Sequence, residues 1–248
     1  MSRDHFAALH QRGAPLVLFN IWDAGSATAV AKAGAKAIAT GSASLAGAQG
    51  FDDGEALPFD ALLATAKQIA AAIALPLSVD FESGFAEDLA TLGDNAQRLA
   101  DTGAVGCNLE DQLIGEGGLR DSEEQAQRIA TVSASGLFVN ARTDIFLGAL
   151  KAGEDANRPE LVDAAIARAA VYAEAGAGCF FAPGLSDSAL IARLVEAVDL
   201  PVNIMRLPGM VANAQLAELG IARISYGPAP WRDAMTAVES AAADAFSL

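Results

Sequence analysis

Acidic and amide side chains recur in this sequence where short apolar runs end. Asp80 and Glu82 close one such run, and Asn108 and Glu110 close the next. Residues two apart on an extended strand point to the same side, so each pair is predicted to face one way. Carboxylates gathered on one side repel each other unless a cation lies among them. Oxygen ligands favour Mg2+, or Mn2+, over zinc, and the chain has only two histidines, so we predict an all-oxygen site for a divalent cation.

Two arginines at the ends of later apolar runs are candidates for binding an acidic substrate. Arg142 carries a planar fork of donors that fits a carboxylate, and it could equally pair with Asp80 or Glu110. Arg206 also has two interpretations, as the partner of a neighbouring acid or as the contact for a distal substrate carboxylate. The second interpretation favours a dicarboxylate such as oxaloacetate or 2-oxoglutarate over pyruvate.

A regular alternation of apolar runs and helical segments must position these residues. The predicted strands span 16–23, 37–42, 77–82, 105–111, 137–144, 178–183, 202–206 and 222–226. The predicted helices span 26–33, 59–73, 92–101, 122–133, 159–175, 187–198, 211–218 and 231–245. The pattern predicts one domain over residues 1–248, an α/β (β/α)8 barrel of the TIM type, a fold that takes about 250 residues and places its chemistry at the carboxyl ends of its strands. An open, doubly wound sheet is the alternative.

Composition narrows the classes of partner. The formal net charge of −15 disfavours nucleic acid and anionic membrane surfaces, although a metal or a local arginine can still attract an anionic substrate. The two cysteines, Cys107 and Cys179, lie in apolar runs without metal-ligand spacing, which indicates a reducing compartment. The first residues form no apolar run of the kind that begins a secretory signal. We therefore expect a cytoplasmic protein.

Six segments at these positions resemble the isocitrate lyase / phosphoenolpyruvate mutase superfamily, over nearly the whole chain. They are Phe-Asn-Ile-Trp-Asp-Ala at 19–24, Thr-Gly-Ser-Ala-Ser at 40–44, Gly-Phe-Asp-Asp-Gly at 50–54, Val-Asp-Phe-Glu-Ser-Gly-Phe at 79–85, Asn-Leu-Glu-Asp-Gln at 108–112 and Asn-Ala-Arg-Thr-Asp at 140–144. The order of the segments and their places on the strands make the resemblance specific. It implies a modified barrel whose last helix, 231–245, packs on a neighbouring subunit of a homodimer or homotetramer.

The resemblance also implies a metal site. Asp80 corresponds to the carboxylate that binds Mg2+ directly, and Glu82, Glu110 and Asp53 correspond to the acids that hold the metal's water molecules. Asp53 would otherwise be interpreted as part of a surface turn. Arg142, Asp53 and Glu110 form the implied catalytic set, in which Arg142 stabilises the oxo or enolate oxygen.

The implied substrate contacts surround this metal site. Thr40, Gly41 and Ser42 match the loop that binds the substrate carboxylate, and Trp22 and Asp23 match the wall beneath the ligand. The remaining members of the predicted substrate-binding set are Asp80, Arg142, Asn203 and Arg206.

The chain departs from the superfamily after Gln112. It reads Leu-Ile-Gly-Glu-Gly-Gly-Leu-Arg at 113–120, without the Cys segment of the lyases or the Lys-Thr-Asn loop of the mutases and hydrolases. This segment is predicted to be a mobile lid, with Glu116 and Arg120 as its candidate acid or base groups. We predict a Mg2+-dependent carbon–carbon lyase that forms an enolate from a small 2-oxo acid. The alternatives are an enzyme of phosphonate P–C bonds and a 2-oxo acid binding protein without turnover.

Overall fold

The computed structural model describes residues 2–247, so Met1 and Leu248 of the predicted domain lie outside the described residues. Its sheet has eight parallel strands in the order β1-β8-β7-β6-β5-β4-β3-β2. The strands are β1 Leu16–Leu18, β2 Ile38–Ala39, β3 Leu77–Asp80, β4 Gly106–Glu110, β5 Phe138–Arg142, β6 Cys179–Phe181, β7 Val202–Met205 and β8 Arg223–Ser225. Each lies inside a predicted run, and most are hydrogen-bonded to two neighbours.

The sheet closes into a barrel between its first two strands. A parallel bridge joins Ile21 to Thr40, and the Ile21 N–H donates to the Ala39 carbonyl over 2.9 Å. Closure leaves no long open edge, so the fold is the predicted TIM-type (β/α)8 barrel and not a doubly wound open sheet.

Eleven helices surround the strands within residues 2–247. They are α1 Arg3–Ala8, α2 Ala24–Lys32, α3 Ser42–Gly47, α4 Phe59–Ala72, α5 Leu89–Ala100, α6 Ser122–Ala134, α7 Ile145–Lys151, α8 Pro159–Glu174, α9 Ser188–Ala197, α10 Asn213–Glu218 and α11 Ala229–Phe246. The sequence pattern did not predict α1, α3 and α7, which have six or seven residues each. Two turns of helix are too short for a reliable apolar period.

All eight strands end earlier than the predicted runs, and in β3 and β5 the shortening affects candidate site residues. β3 ends at Asp80, and Glu82 has a left-handed φ of 50°. β5 ends at Arg142, and Asp144 begins α7. The expectation that Asp80 and Glu82 share one strand face was therefore wrong, and Asp144 likewise lies beyond the strand that holds Arg142.

Apolar side chains fill the amino-terminal half of the barrel interior. Leu16, Leu18, Phe138 and Cys179 are buried there, and Phe6 of α1 closes this end. The close approach of α1 requires a glycine in β4, because a Cβ on Gly106 would lie 2.9 Å from the Phe6 ring. The polar residues of the carboxyl end therefore lie above a closely packed and largely apolar layer.

The last helix packs little against its own barrel. Val238 and Phe246 of α11 are 62% and 81% exposed, and Val17 of β1 and Phe19, which follows β1, are 40% and 46% exposed. Val17 and Phe19, together with residues of α2, line an apolar groove of about 570 Å³. A monomer rarely leaves both an apolar helix and an apolar groove in water. No helix within residues 2–247 has the length and apolar character needed to span a membrane.

Candidate active site

A cavity of about 410 Å³ opens at the carboxyl ends of the strands. Its lining includes six of the residues predicted from the sequence: Gly41, Ser42, Asp53, Asp80, Arg142 and Arg206. Further polar residues of the lining are Asn20, Asn108, Lys151, Ser225, Tyr226, Arg232 and Asp233, and Leu147, Phe181, Pro183, Met205 and Leu207 supply apolar surface. The concentration of polar groups at this rim is the arrangement expected of a barrel active site.

Asp80 is the best-fixed acid of this cavity. The Ser42 N–H donates to its Oδ2 over 3.1 Å, and the Asp80 N–H donates to Thr40 Oγ1 over 2.8 Å. Asp80 Oδ1 is buried without a hydrogen-bond partner among residues 2–247. A buried acceptor without a partner costs about 1–3 kcal/mol, more if it is charged, so this oxygen is suited to a ligand.

A buried hydrogen-bond network shapes the loop that follows Asp80. Glu82 Oε2 accepts the Glu55 N–H over 2.7 Å. Glu55 Oε1 in turn accepts the N–H groups of Ser83 and Phe85 over 3.0 and 2.9 Å. The strained, left-handed conformations of Glu82 and Phe85 are held by these contacts. Sequence reasoning missed Glu55, although it directly follows the Asp-Asp-Gly segment that contains Asp53.

Helix α6 supports this loop from behind. Arg128 is buried and donates to the carbonyl oxygens of Ser83, Ala86 and Glu87 over 2.6, 2.7 and 3.0 Å. Gln125 donates to the Glu110 carbonyl over 3.1 Å. One helix therefore fixes the backbone of two of the predicted metal-site segments.

Burial, with a smaller contribution from neighbouring acids, raises the pKa of several acids of the site. Burial raises the pKa of Asp80; Arg142, the Ser42 N–H and the Asn108 amide oppose the shift, whereas Asp53 adds to it. Burial and the neighbouring Asp80 raise the pKa of Glu82 to about 8. Burial raises the pKa of Glu110 well above its ordinary value, against the opposing charge of Arg142. Several carboxyl groups therefore share one volume with too little positive charge, which fits a cation.

The acids do not lie close enough together to bind a metal ion through three or more direct ligands. No three Asp, Glu, His or Cys side chains within residues 2–247 lie in a cluster that would hold a metal directly. Glu82 and Glu110 lie behind the cavity lining, whereas Asp53 and Asp80 reach it. Such an arrangement fits Mg2+, which keeps several water molecules and needs only one or two direct carboxylates.

The raised pKa of Glu82 predicts that the metal-free protein loses stability as the pH rises. Between its unfolded value of 4.5 and its folded value of about 8, the folded state keeps a proton that the unfolded state has released. The free energy of unfolding should therefore fall from about pH 5 to pH 8, by up to about 1.4 kcal/mol per pH unit from this group. Urea denaturation in the presence of a chelator should show a flatter dependence for Glu82→Gln. Glu116→Gln, at an exposed position, is the control, and identical slopes for Glu82→Gln and the wild type would contradict the assignment.

Arg142 lies between two carboxylates and still reaches the cavity. Its Nη1 is 2.7 Å from Glu110 Oε2, and its Nη2 is 2.8 Å from Asp144 Oδ1. Although burial disfavours its charge, Asp144 and Glu110 raise the pKa of Arg142. Of the two ion pairs considered from the sequence, the one with Glu110 is present. The guanidinium is thus permanently charged and oriented before any substrate binds.

The other predicted substrate contacts are divided between the cavity and its surroundings. Arg206 lines the cavity, where it donates to the carbonyls of Val211 and Met210. It forms no ion pair with an acid among the described residues. Asn203 is fully buried below the cavity lining, where its Nδ2 donates a hydrogen bond to Ser225 Oγ over 3.1 Å. Thr40, Trp22 and Asp23 lie outside the lining, and Asp23 caps α2 through Ser26.

The predicted lid is a short hairpin that Arg120 anchors. A bridge joins Gln112 to Leu119, and the Arg120 side chain is 6% exposed in ion pairs with Glu87 and Glu124. Arg120 is absent from the cavity lining, and Glu116 lies exposed on the hairpin. Lys151 of α7 also lines the cavity, and its Nζ donates to Gln112 Oε1 over 3.2 Å. The sequence pattern missed Lys151 because it did not predict α7.

A closed barrel with carboxylates and a fixed arginine at the carboxyl ends of its strands belongs to the large class of TIM-barrel enzymes. Comparison with known families identifies the family within this class to which the chain belongs. The profile of the phosphoenolpyruvate phosphomutase family matches residues 6–246, and the chain belongs to this family, within the isocitrate lyase / phosphoenolpyruvate mutase superfamily.

The names of individual relatives point to different reactions. A crystal structure of a "putative phosphonomutase" from Burkholderia cenocepacia is 44% identical, with a TM-score of 0.92 over 97% of this chain and 98% of that one. An uncharacterized protein of Mycobacterium tuberculosis is 33% identical over 96% of this chain and 87% of its own length. The 2-methylisocitrate lyase of Escherichia coli is 29% identical over 79% of this chain and 67% of its own. The chain is therefore an enzyme of a superfamily that includes lyases and mutases.

Proposed function

We propose that this protein is a Mg2+-dependent enzyme that acts on a small 2-oxo (di)carboxylic acid through an enolate, most simply as a carbon–carbon lyase. The observation that carries the proposal is the buried Asp80 Oδ1, which lacks a hydrogen-bond partner among residues 2–247 in a cavity that Arg142 also lines. The names of the lyase relatives support the reaction class.

The residues present fit Mg2+. Asp80 would bind it directly, and Asp53, Glu82 and Glu110 would hold its water molecules. When bound, Mg2+ supplies positive charge that stabilises the oxygen of an enolate. Positive charge among these acids would also favour their ionised forms, which burial and mutual repulsion otherwise disfavour.

Groups of the protein itself bind the substrate, stabilise the developing charge and exclude water. The Gly41–Ser42 segment binds the substrate carboxylate, and Arg142 donates hydrogen bonds to the oxo oxygen as negative charge develops there. Leu147, Phe181 and Met205 exclude water from the breaking bond. The ion pairs with Glu110 and Asp144 keep Arg142 in place, so little reorganisation accompanies the reaction.

Exchange of substrate protons tests this proposal without knowledge of the natural substrate. An enolate exchanges its C3 protons with solvent, so we expect Mg2+-dependent deuteration of pyruvate, oxaloacetate or 2-oxoglutarate in D2O, followed by NMR. Binding of these acids without exchange would instead support a non-catalytic binding protein. The 44% identity to the "putative phosphonomutase" favours phosphonate chemistry as the second candidate, and turnover of phosphonopyruvate without exchange of the other acids would support it.

Arg206 is proposed to select dicarboxylates. Arg206 lines the cavity and forms no ion pair with an acid among residues 2–247, and its hydrogen bonds to the Val211 and Met210 carbonyls leave its charge for a distal carboxylate. Arg206→Ala should raise KM for 2-oxoglutarate by about 10-fold or more, the cost of losing a hydrogen bond to a charged group, and change KM for pyruvate much less. Arg193→Ala, on the exposed side of α9, is the control, and equal losses for both acids would contradict selection by Arg206.

The assembly is proposed to be a homodimer or homotetramer in which α11 packs on a neighbouring subunit. The exposed Val238 and Phe246 and the apolar groove beside Val17 and Phe19 support this arrangement. Sedimentation equilibrium should show a dimer or tetramer, and Val238→Glu should shift it towards monomer, because a buried charge is costly. Glu239→Lys, one residue along α11, is the control. A monomeric wild-type protein would refute the arrangement.

A further inference from the structure

Arg223 of β8 lies inside the barrel, below the cavity, and is fully buried. Its Nη2 donates to Asn108 Oδ1 over 3.2 Å, and its Nε and Nη1 have no hydrogen-bond partner among residues 2–247. It forms no ion pair with a carboxylate in this part of the chain. A buried cation with so few contacts costs stability, so folding alone does not account for an arginine at this position.

Asn108 connects Arg223 to the candidate metal site. It is the register neighbour of Asp80 on the adjacent strand, and both residues line the cavity. Adjacent strands lie about 4.8 Å apart, so the Asn108 amide and the Asp80 carboxyl are within reach of each other. Whether the oxygen or the nitrogen of this amide faces Asp80 decides whether the contact attracts or repels.

The hydrogen bond between Asn108 and a second amide, that of Asn140, does not by itself fix this orientation. Asn140 Nδ2 donates to Asn108 Oδ1 over 2.7 Å. Two facing amides can exchange donor and acceptor by flipping together, with no loss of their mutual hydrogen bond. The flipped pair would direct Asn108 Oδ1 towards the carboxylate of Asp80, where two acceptors would repel.

A guanidinium removes this ambiguity because it only donates. An arginine in contact with the Asn108 amide requires its oxygen on that side, and the amide nitrogen is then left for the cavity and Asp80. We propose that Arg223 is a positioning residue that locks the Asn108–Asn140 pair in one orientation and thereby holds Asp80 for Mg2+ binding. The inference rests on the proposed function, and it assigns a role to a residue outside the cavity lining.

Mg2+ affinity, measured by calorimetry on the metal-free protein, separates this role from a simple effect of charge. Removing a cation near a metal site should by itself tighten Mg2+ binding. Loss of the fixed Asn108 orientation should instead weaken Mg2+ binding, because loss of an outer-shell partner typically lowers metal affinity about 10–100-fold. We therefore expect Arg223→Met to weaken Mg2+ binding about 10-fold or more, and Arg223→Lys, which also only donates, to restore most of the affinity.

A double-mutant cycle supplies the control. In an Asn108→Ala background, Arg223→Met should no longer weaken binding, whereas a general loss of structure would weaken binding equally in both backgrounds. Should Arg223→Met not fold, Arg223→Gln carries the same expectation, because a side chain that both donates and accepts cannot enforce one orientation. Tighter or unchanged binding in Arg223→Met, or equal losses in both backgrounds, would overturn the inference. Absence of Mg2+ binding in the wild-type protein would instead refute the proposed function, and this inference with it.

Discussion

Asp80→Asn should abolish measurable Mg2+ binding and, at the same time, stabilise the metal-free protein. The substitution removes the proposed direct ligand, so the loss of affinity should exceed the about 10–100-fold that follows loss of an outer-shell partner. The metal-free protein should gain about 1 kcal/mol in free energy of unfolding at pH 8, because a neutral amide relieves the repulsion that raises the pKa values of the neighbouring acids. Calorimetry with Mg2+ and urea denaturation with a chelator measure the two effects.

Opposite changes in affinity and stability distinguish an active-site acid from a structural one. Asp60→Asn removes the same charge from an exposed position on α4, where Asp60 pairs with Arg98, and should change neither quantity by much. If Asp80→Asn instead lowered the stability and left Mg2+ affinity intact, Asp80 would be a structural acid held by Ser42 and Thr40.

Arg142→Lys should reduce kcat about 100–1000-fold while changing Mg2+ affinity little, the loss expected when a donor to a developing oxyanion is removed. Lysine keeps the positive charge between Glu110 and Asp144 but cannot reproduce the planar fork that reaches both carboxylates and the cavity. Keeping the charge also limits structural damage, since full removal would leave two buried acids unpaired, at a cost of about 3–5 kcal/mol. The reaction to follow is the C3 exchange of the best 2-oxo acid.

A matched substitution outside the cavity controls for the change from arginine to lysine. Arg168 pairs with buried Asp111 over 3.2 Å and lies away from the cavity lining, so Arg168→Lys should leave kcat nearly unchanged. An effect of Arg142→Lys confined to KM would mean that the arginine binds the substrate uniformly and does not stabilise the enolate.

Much of this architecture could be predicted from local patterns. All eight strands fall inside the predicted apolar runs, because strands covered on both faces are continuously apolar whatever their partners. Glycines that follow the predicted helices are a local signal of the same kind, and Gly34, Gly103, Gly176 and Gly220 all have the left-handed conformation typical of helix ends. Asp80 and Arg142 could be singled out because polar residues at the carboxyl ends of barrel strands are unusual unless they serve a site.

The contacts between strands could not be predicted in this way. The conformation of Glu82 depends on Glu55, 27 residues earlier, and on the Arg128 support from α6. The burial of Arg223 against Asn108 spans 115 residues and requires the closed barrel. The spacing of Ser122 and Gln125 resembles a capping box, but Asp121 caps α6 and Gln125 instead donates to the Glu110 carbonyl. Each of these features depends on distant neighbours, which a local pattern does not specify.

The most direct test of the proposed site is the position of a bound divalent ion. Mn2+ substitutes for Mg2+ at all-oxygen sites and can be located by anomalous diffraction in crystals soaked with a 2-oxo acid. We predict one strong peak within about 2.5 Å of Asp80 Oδ1, with Asp53, Glu82 and Glu110 reaching it through water molecules and the Arg142 guanidinium on the opposite side of the ligand. A peak elsewhere on the protein, or no peak at saturating Mn2+, would contradict the proposal that these acids form a metal site.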